Sequence, residues 1–247
     1  MGQRELPITG LPVGGVSPSV IVCGDPARAD RIAALLDGPQ RLSDRREYRA
    51  HNGRYGDLPV TVCSHGVGAP GAAVAFEELI AAGARRIVRV GTCGGMQPGL
   101  EAGHVVIASA AVQNTGFGRE YAPPGYPAAA DPALTLALGA AAAAAGHQAR
   151  TGIVLSRDVF YGGAETADTP SYAVLSRANV LAVEMECAAL FLVGGLRGVP
   201  AASILAVDGN VLAAAESMES YQPGREVVHR AVDAAIRIAL EALRASA

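Results

Sequence analysis

Short apolar runs with strand character alternate with helical patterns along nearly the whole chain, and this alternation restricts the fold more than any other feature. Strand-like runs lie at Val20–Gly24, Val60–Ser64, Arg86–Val90, His104–Val112, Gly152–Leu155, Val180–Val183 and Ala202–Val207. Helical patterns lie between them near Ala27–Leu36, Ala69–Ala82, Pro132–Ala145, Met185–Leu196 and Gly224–Ala245, the last two with apolar residues at helical spacing. The alternation predicts an α/β fold. With 247 residues, half of them hydrophobic, the chain can bury one large core, so residues 1–247 read as a single domain. The remaining Gly- and Pro-rich ground reads as loops, including a long surface loop at Gly116–Ala130 that carries Pro123, Pro124, Gly125 and Pro127.

Charge narrows the partners. A formal net charge of -3 without a basic run argues against nucleic acid or an anionic membrane and leaves small molecules as the natural ligands. Cys23, Cys63, Cys93 and Cys187 include no C-x-x-C pair and read as reduced packing residues of a cytosolic protein. No grouping of His, Cys, Asp and Glu has metal-ligand spacing, so no metal is expected. The amino terminus lacks a charged-then-apolar signal pattern, and the apolar stretches are broken before membrane-spanning length, which predicts a soluble, cytoplasmic protein.

One strand carries chemistry. Ile87-Val88-Arg89-Val90-Gly91-Thr92-Cys93-Gly94-Gly95 places an arginine inside an apolar run, where its desolvation is costly unless it reaches an anion at the strand's carboxyl end. A second apolar strand, Val20–Cys23, breaks at Gly24 and leads through Asp25-Pro26-Ala27 to Arg28 as a helix begins. Two strand ends, each with an arginine, point to one shared anion, with the Thr92 hydroxyl and nearby amides completing an oxygen-binding cage. Arg28 also has a plainer reading, as a solvated residue on the first helical turn.

Gly24-Asp25-Pro26-x-Arg28, Arg89-Val90-Gly91-Thr92-Cys93-Gly94 and Val183-Glu184-Met185-Glu186 together resemble the signature blocks of the nucleoside phosphorylase-I family. Three blocks in order are far more specific than one glycine motif. Arg46-Glu47-Tyr48, Ser64-His65-Gly66-Val67-Gly68 and Ala206-Val207-Asp208-Gly209 resemble most the apicomplexan-type purine nucleoside phosphorylases, with uridine phosphorylases as close relatives. The resemblance implies a phosphorylase/hydrolase-like single domain with a central mixed sheet, partly barrel-like, flanked by helices. It implies inorganic phosphate as co-substrate with no other cofactor, held by Gly24, Arg28, Arg89 and Thr92. It further implies a homo-oligomer, such as a hexamer, in which Arg46 enters a neighbouring subunit's site; without the resemblance, Arg46 between Arg45 and Arg49 reads as part of a solvated basic cluster.

The same resemblance makes Glu186 the ribose ligand, since a carboxylate can accept from both vicinal hydroxyls. Met185 then packs on the sugar, and Val183 and Glu184 border the base. The plainer reading of Glu184 and Glu186 is that they begin a helix, where the dipole favours acidic residues. Cleaving the bond to the base calls for an acid at the leaving group, and Asp208, ending Ser203–Val207, fits that role; Asp208-Gly209-Asn210 is otherwise an ordinary turn. Phe160 or Tyr161 can stack on the base, or pack in the core. Where uridine phosphorylases place a glutamine and an arginine after this aromatic pair, the chain has Ala164 and Thr166, so the uracil clamp is missing. The histidine that the family supplies near the amino terminus is also missing from Gln3-Arg4-Glu5-Leu6-Pro7. His65 is assigned no catalytic role. The expected activity is phosphorolysis of purine nucleosides, with uridine phosphorolysis, a methylthioadenosine-type nucleosidase and a non-catalytic nucleoside sensor as alternatives.

Overall fold

The structure is a computed structural model that describes residues 4–212, 221–222 and 224–246. In chain order the described elements are β1 (Ser19–Cys23), α1 (Pro26–Ala33), β2 (Asp37–Arg45), β3 (Tyr48–Tyr55), β4 (Leu58–Ser64), α2 (Ala69–Ala82), β5 (Arg86–Gly95), β6 (Val105–Asn114), α3 (Gly116–Tyr121), α4 (Pro132–Ala144), β7 (Ala149–Arg157), α5 (Tyr172–Arg177), β8 (Ala182–Glu184), α6 (Cys187–Arg197), β9 (Ala201–Asn210) and α7 (Glu226–Ala245). The strands form one mixed sheet in the order β2-β3-β4-β1-β5-β8-β7-β6-β9, and β9 returns to pair with β5. Five strands, β5, β8, β7, β6 and β9, therefore close on themselves, while β2, β3, β4 and β1 continue as an open extension. This is the partly barrel-like mixed sheet that the family resemblance implies.

Parallel pairing of β1, β5 and β9 brings their carboxyl ends to one side of the sheet. The strands are apolar on both faces, as a covered sheet requires. One core packs Val20, Val22 and Ile87 against α2 and α6, with Phe76, Leu79 and Phe191 fully buried. The other packs Ile21, Val88 and Val90 against α1, α4 and α7, through Ile32, Leu138 and Ile236 among others.

Several boundaries differ from the sequence reading, each for a physical reason. The stretch 37–55, read as loop, forms β2 and β3. β2 is almost entirely exposed and pairs on one side only, so it carries no apolar pattern. Within the expected surface loop at Gly116–Ala130 lies the short helix α3, capped by the Thr115 side chain accepting from the Gly118 amide. α5 buries none of its side chains and so has no apolar stripe to reveal it. The helix expected to begin at Met185 begins at Cys187, because the Glu184 carboxylate accepts from the amides of Glu186 and Cys187 and holds Met185 outside the first turn. α1 ends at Ala33 rather than Leu36. No helix among the described residues is long and apolar enough to cross a membrane.

Candidate active site

A cavity of about 600 Å³ opens at the carboxyl ends of β1, β5, β8 and β9, and most of the residues singled out in the sequence line it. Gly24, Arg28, Arg89 and Thr92 are there, as are Val183, Glu184, Met185, Glu186, Phe160 and Asp208. Tyr161 and Arg46 are not. Tyr161 is exposed and packs edge-on against Phe160, with ring centres 4.9 Å apart. Arg46 is exposed at the tip of the β2–β3 hairpin, where it holds a left-handed φ of 55°. Ala164 and Thr166 are exposed and outside the lining.

The first wall is built by strand ends and one helix start. Asp25 caps α1 by accepting from the Ala27 amide at 2.8 Å, and Pro26 takes the first turn, where a missing N–H costs nothing. Two residues on, Arg28 turns inward and donates from Nη1 to the Val90 carbonyl at 3.2 Å, so the solvated reading of this residue does not hold. Burial pulls its pKa below the usual arginine value, which marks a guanidinium withdrawn from water.

Arg89 is buried, with 4% exposure, and bonds from Nη2 to Glu186 while lying 3.4 Å from Glu184. Its Nε and Nη1 have no partner among the described residues. Residues i and i+2 of a strand share a face, so the guanidinium folds back over residue 91. A Cβ at Gly91 would lie 1.8 Å from Nη1, which explains why Arg89-Val90-Gly91 needs a glycine in its third place. Burial opposes the charge on Arg89, but the two carboxylates outweigh it and hold its pKa above the usual value.

The two glutamates divide their work. Glu184 accepts from Ser156 Oγ and from the first amides of α6, so its carboxylate serves as a helix cap, as the plainer reading had it. Glu186 reaches across the cavity instead. Its Oε1 accepts from the Gly68 amide at 2.6 Å, at the start of α2, and its Oε2 meets Arg89. Burial raises the pKa of Glu186, but Arg89, then His65 and the Gly68 amide, more than offset this and hold it below the usual range. His65 is fully buried, with its pKa pushed down to about 4, chiefly by burial and against the pull of Glu186. It is a neutral imidazole, buried behind the lining and within electrostatic reach of Glu186 and Arg89.

Asp208 sits in a β-bulge. Cys93 pairs with Val207 and Gly94 with Gly209, so Asp208 is the extra residue on β9, and its side chain is re-aimed into the cavity. The Tyr221 hydroxyl donates to its Oδ2 at 3.0 Å, and Arg225 bonds to its backbone carbonyl. Tyr221 also packs against Phe160, ring centres 5.1 Å apart, giving this end an aromatic wall.

Three lining residues, Arg157, Tyr172 and Tyr221, were not found in the sequence, and Glu47 was noted only within Arg46-Glu47-Tyr48, with no role of its own. Tyr221 comes from a polar segment without a motif. Arg157, at the end of β7, donates from Nη1 to the Tyr172 hydroxyl at 2.6 Å, with its guanidinium carbon 5.6 Å from that ring's centre. The one available signal was an arginine closing an apolar strand, the same signal that exposed Arg89. Glu5, near the place of the missing histidine, pairs with Arg45 and lies outside the lining. All four cysteines are buried and none is in a disulfide, with Cys93 on the cavity wall. Among the described residues, no three His, Cys, Asp or Glu side chains are placed to hold a metal ion.

The arrangement is a largely apolar cleft with cations at one end, a carboxylate across its middle, and an aromatic wall with a second carboxylate at the other. Residues 18–244 match the sequence profile of the phosphorylase superfamily. The chain is 40% identical over 242 residues to a uridine phosphorylase of Treponema pallidum, covering 95% of this chain and 92% of that protein. It is 37% identical to a guanosine phosphorylase of Halorubrum lacusprofundi, covering 94% and 95%. Its structure superposes on purine nucleoside phosphorylase from Toxoplasma gondii, solved in complex with immucillin-H, with a TM-score of 0.91 and 34% identity over 100% of this chain and 99% of that one. The matched profile, the full-length relatives and the shared fold agree, and the chain is an enzyme of the phosphorylase superfamily.

Proposed function

We propose that this enzyme cleaves purine nucleosides of the inosine and guanosine type with inorganic phosphate, giving free base and ribose 1-phosphate. The observation that carries the reading is the polarity of one cavity: Arg28, Arg89, Thr92 and the Gly24 backbone at one end, Asp208 with Phe160 and Tyr221 at the other, and Glu186 between. Guanidinium forks and a hydroxyl suit a phosphate, and phosphate is the only co-substrate this reading needs. A phosphate oxygen attacks the anomeric carbon while the bond from that carbon to the base nitrogen breaks and its electron pair leaves with the base. Glu186 accepts from the ribose hydroxyls and, with phosphate, stabilises positive charge building on the sugar. Met185 packs on the sugar, and Val183 and Glu184 border the base. Asp208 delivers a proton or hydrogen bond to the departing ring nitrogen.

Arg46 lies outside its own subunit's cavity at an exposed hairpin tip, which suits an arginine that completes a neighbour's phosphate site in a homo-oligomer such as a hexamer. Four buried cysteines outside any disulfide suit a reducing compartment, the cytoplasm. Purine preference rests on Asp208 and on Ala164 and Thr166 standing where a uracil clamp would be. The second reading, uridine phosphorolysis, is favoured by the names of several relatives, among them the Treponema protein. Base release from inosine and from uridine, each with and without phosphate, separates the two: phosphate-dependent release from inosine supports the proposal, faster release from uridine supports the second reading, and release without phosphate sinks both.

A further inference from the structure

Among the described residues three cationic side chains line the cavity, Arg28, Arg89 and Arg157, and the proposed phosphate end uses two of them. The third, Arg157, stands apart. β7 is separated from β1 by β5 and β8, so at about 4.8 Å per strand spacing Arg157 arises roughly 14 Å across the sheet from the β1 end that carries Arg28. It lies three residues before Phe160, on the side of the aromatic wall and Asp208. No described carboxylate stands within ion-pair distance of it, and its Nε is buried without a partner among the described residues. Tyr172 anchors the guanidinium through Nη1 and through its ring, which fixes the plane of the fork and leaves its other donors uncommitted. A partly desolvated cation without a counter-charge is costly to maintain unless a ligand supplies the acceptor.

We infer that Arg157 reads the leaving base, donating to an exocyclic carbonyl oxygen and so selecting oxo bases, such as hypoxanthine and uracil, over an amino base such as adenine. The inference rests on the nucleoside reading of the cavity and names its substrate class. When the bond to the sugar breaks, its electron pair spreads over the base and onto that carbonyl oxygen, where a fixed guanidinium is placed to stabilise it. An adenine amino group at the same place turns N–H donors toward N–H donors and leaves both sides unpaired. It also accounts for a base end without the glutamine and arginine clamp: the donor fork enters from the end of β7 instead of from the segment that contains Ala164 and Thr166.

The test is calorimetric binding of hypoxanthine, uracil and adenine, in phosphate buffer, to the wild-type protein, Arg157→Ala and Arg157→Lys, with base release from inosine and adenosine measured alongside. The wild type should prefer the oxo bases. Arg157→Ala should lose about 10- to 100-fold on them and leave adenine unchanged, and Arg157→Lys, a charge without the fork, should fall between. Because the ratio between bases is the readout, general loosening of the pocket does not mimic the result. If Arg157→Ala fails to fold, by circular dichroism, the lysine variant must still lower the ratio. An unchanged ratio in a folded variant, or a wild type that prefers adenine, overturns the assignment of Arg157 and leaves the phosphorolysis reading standing. A wild type that binds none of the three bases and releases none with phosphate overturns both.

Discussion

Replacing Arg89 with methionine should destabilise the protein by about 3–5 kcal/mol near neutral pH, the usual cost of removing one partner from a buried ion pair. Methionine fills similar space with a flexible apolar chain, so little of the loss comes from a cavity. The cost is electrostatic: Glu186, buried against Arg89, loses the charge that outweighs its desolvation. For a chain of this size the loss corresponds to a fall in Tm of roughly 6–20 °C. The pH dependence identifies the cause. In the wild type the Glu186 pKa lies below its ordinary 4.5, so its contribution is present above that value and lost only as pH falls below it. In the variant, burial is opposed only by His65 and the Gly68 amide and pushes the pKa up, so the penalty is full at high pH and shrinks as the carboxyl takes up a proton. His65, whose protonation Arg89 also disfavours, adds in the same direction. Thermal melts of both proteins at pH 7.5, 6.5 and 5.5 should give a Tm difference that narrows with acid, and Arg89→Met with Glu186→Gln should recover most of the loss. A variant as stable as the wild type at pH 7.5, or a difference that ignores pH, would refute the reasoning.

His65 is neutral when folded, with a pKa of about 4 against an ordinary 6.5, so wild-type stability should fall by roughly 3 kcal/mol as pH drops from 6.5 to 4; urea unfolding of His65→Asn should lack that part of the decline. Gly91→Ala places a methyl group against the Arg89 guanidinium and should raise the KM for phosphate about 10- to 100-fold while leaving the fold intact, as read by kinetics and circular dichroism. Asp208→Asn should lower kcat/KM for inosine by about 10²- to 10³-fold, and an unchanged rate would make Asp208 a bulge residue only. Mixing inactive Arg46→Ala and Glu186→Ala proteins should restore activity in mixed oligomers if Arg46 serves a neighbour, and no recovery would leave it a surface residue.

The strands with continuous apolar faces, β1, β4, β5 and β9, were legible because burial on both sides writes itself into composition. β2 was not, since an exposed edge strand of Asp, Gly, Pro, Gln and Arg looks like a loop and owes its form to pairing with β3. The Arg28 and Arg89 end of the cavity was readable for the same reason as the core: Arg89 is conspicuous among Ile87, Val88 and Val90. The Asp208 end was only half readable. Asp208 announced itself at a strand end, but its partner Tyr221 lies thirteen positions later and Tyr172 lies on a helix that buries nothing. Glu184 and Glu186 look alike in sequence, and only their partners separate the helix cap from the residue that spans the cavity.

Strand β5 belongs at once to the open extension and to the closed ring, and the cavity straddles that seam. The end with Arg28 is carried by β1, α1 and β5, whereas the end with Arg157 and Asp208 is carried by β7, β8 and the bulge of β9. In the proposed phosphorolysis, the two halves of the reaction are thus held by separable pieces of scaffold that meet at a single strand. Exchanging the β7–α5 connection, including Arg157 and Phe160, is therefore the economical route to a changed substrate range, because it leaves the nucleophile's seat untouched.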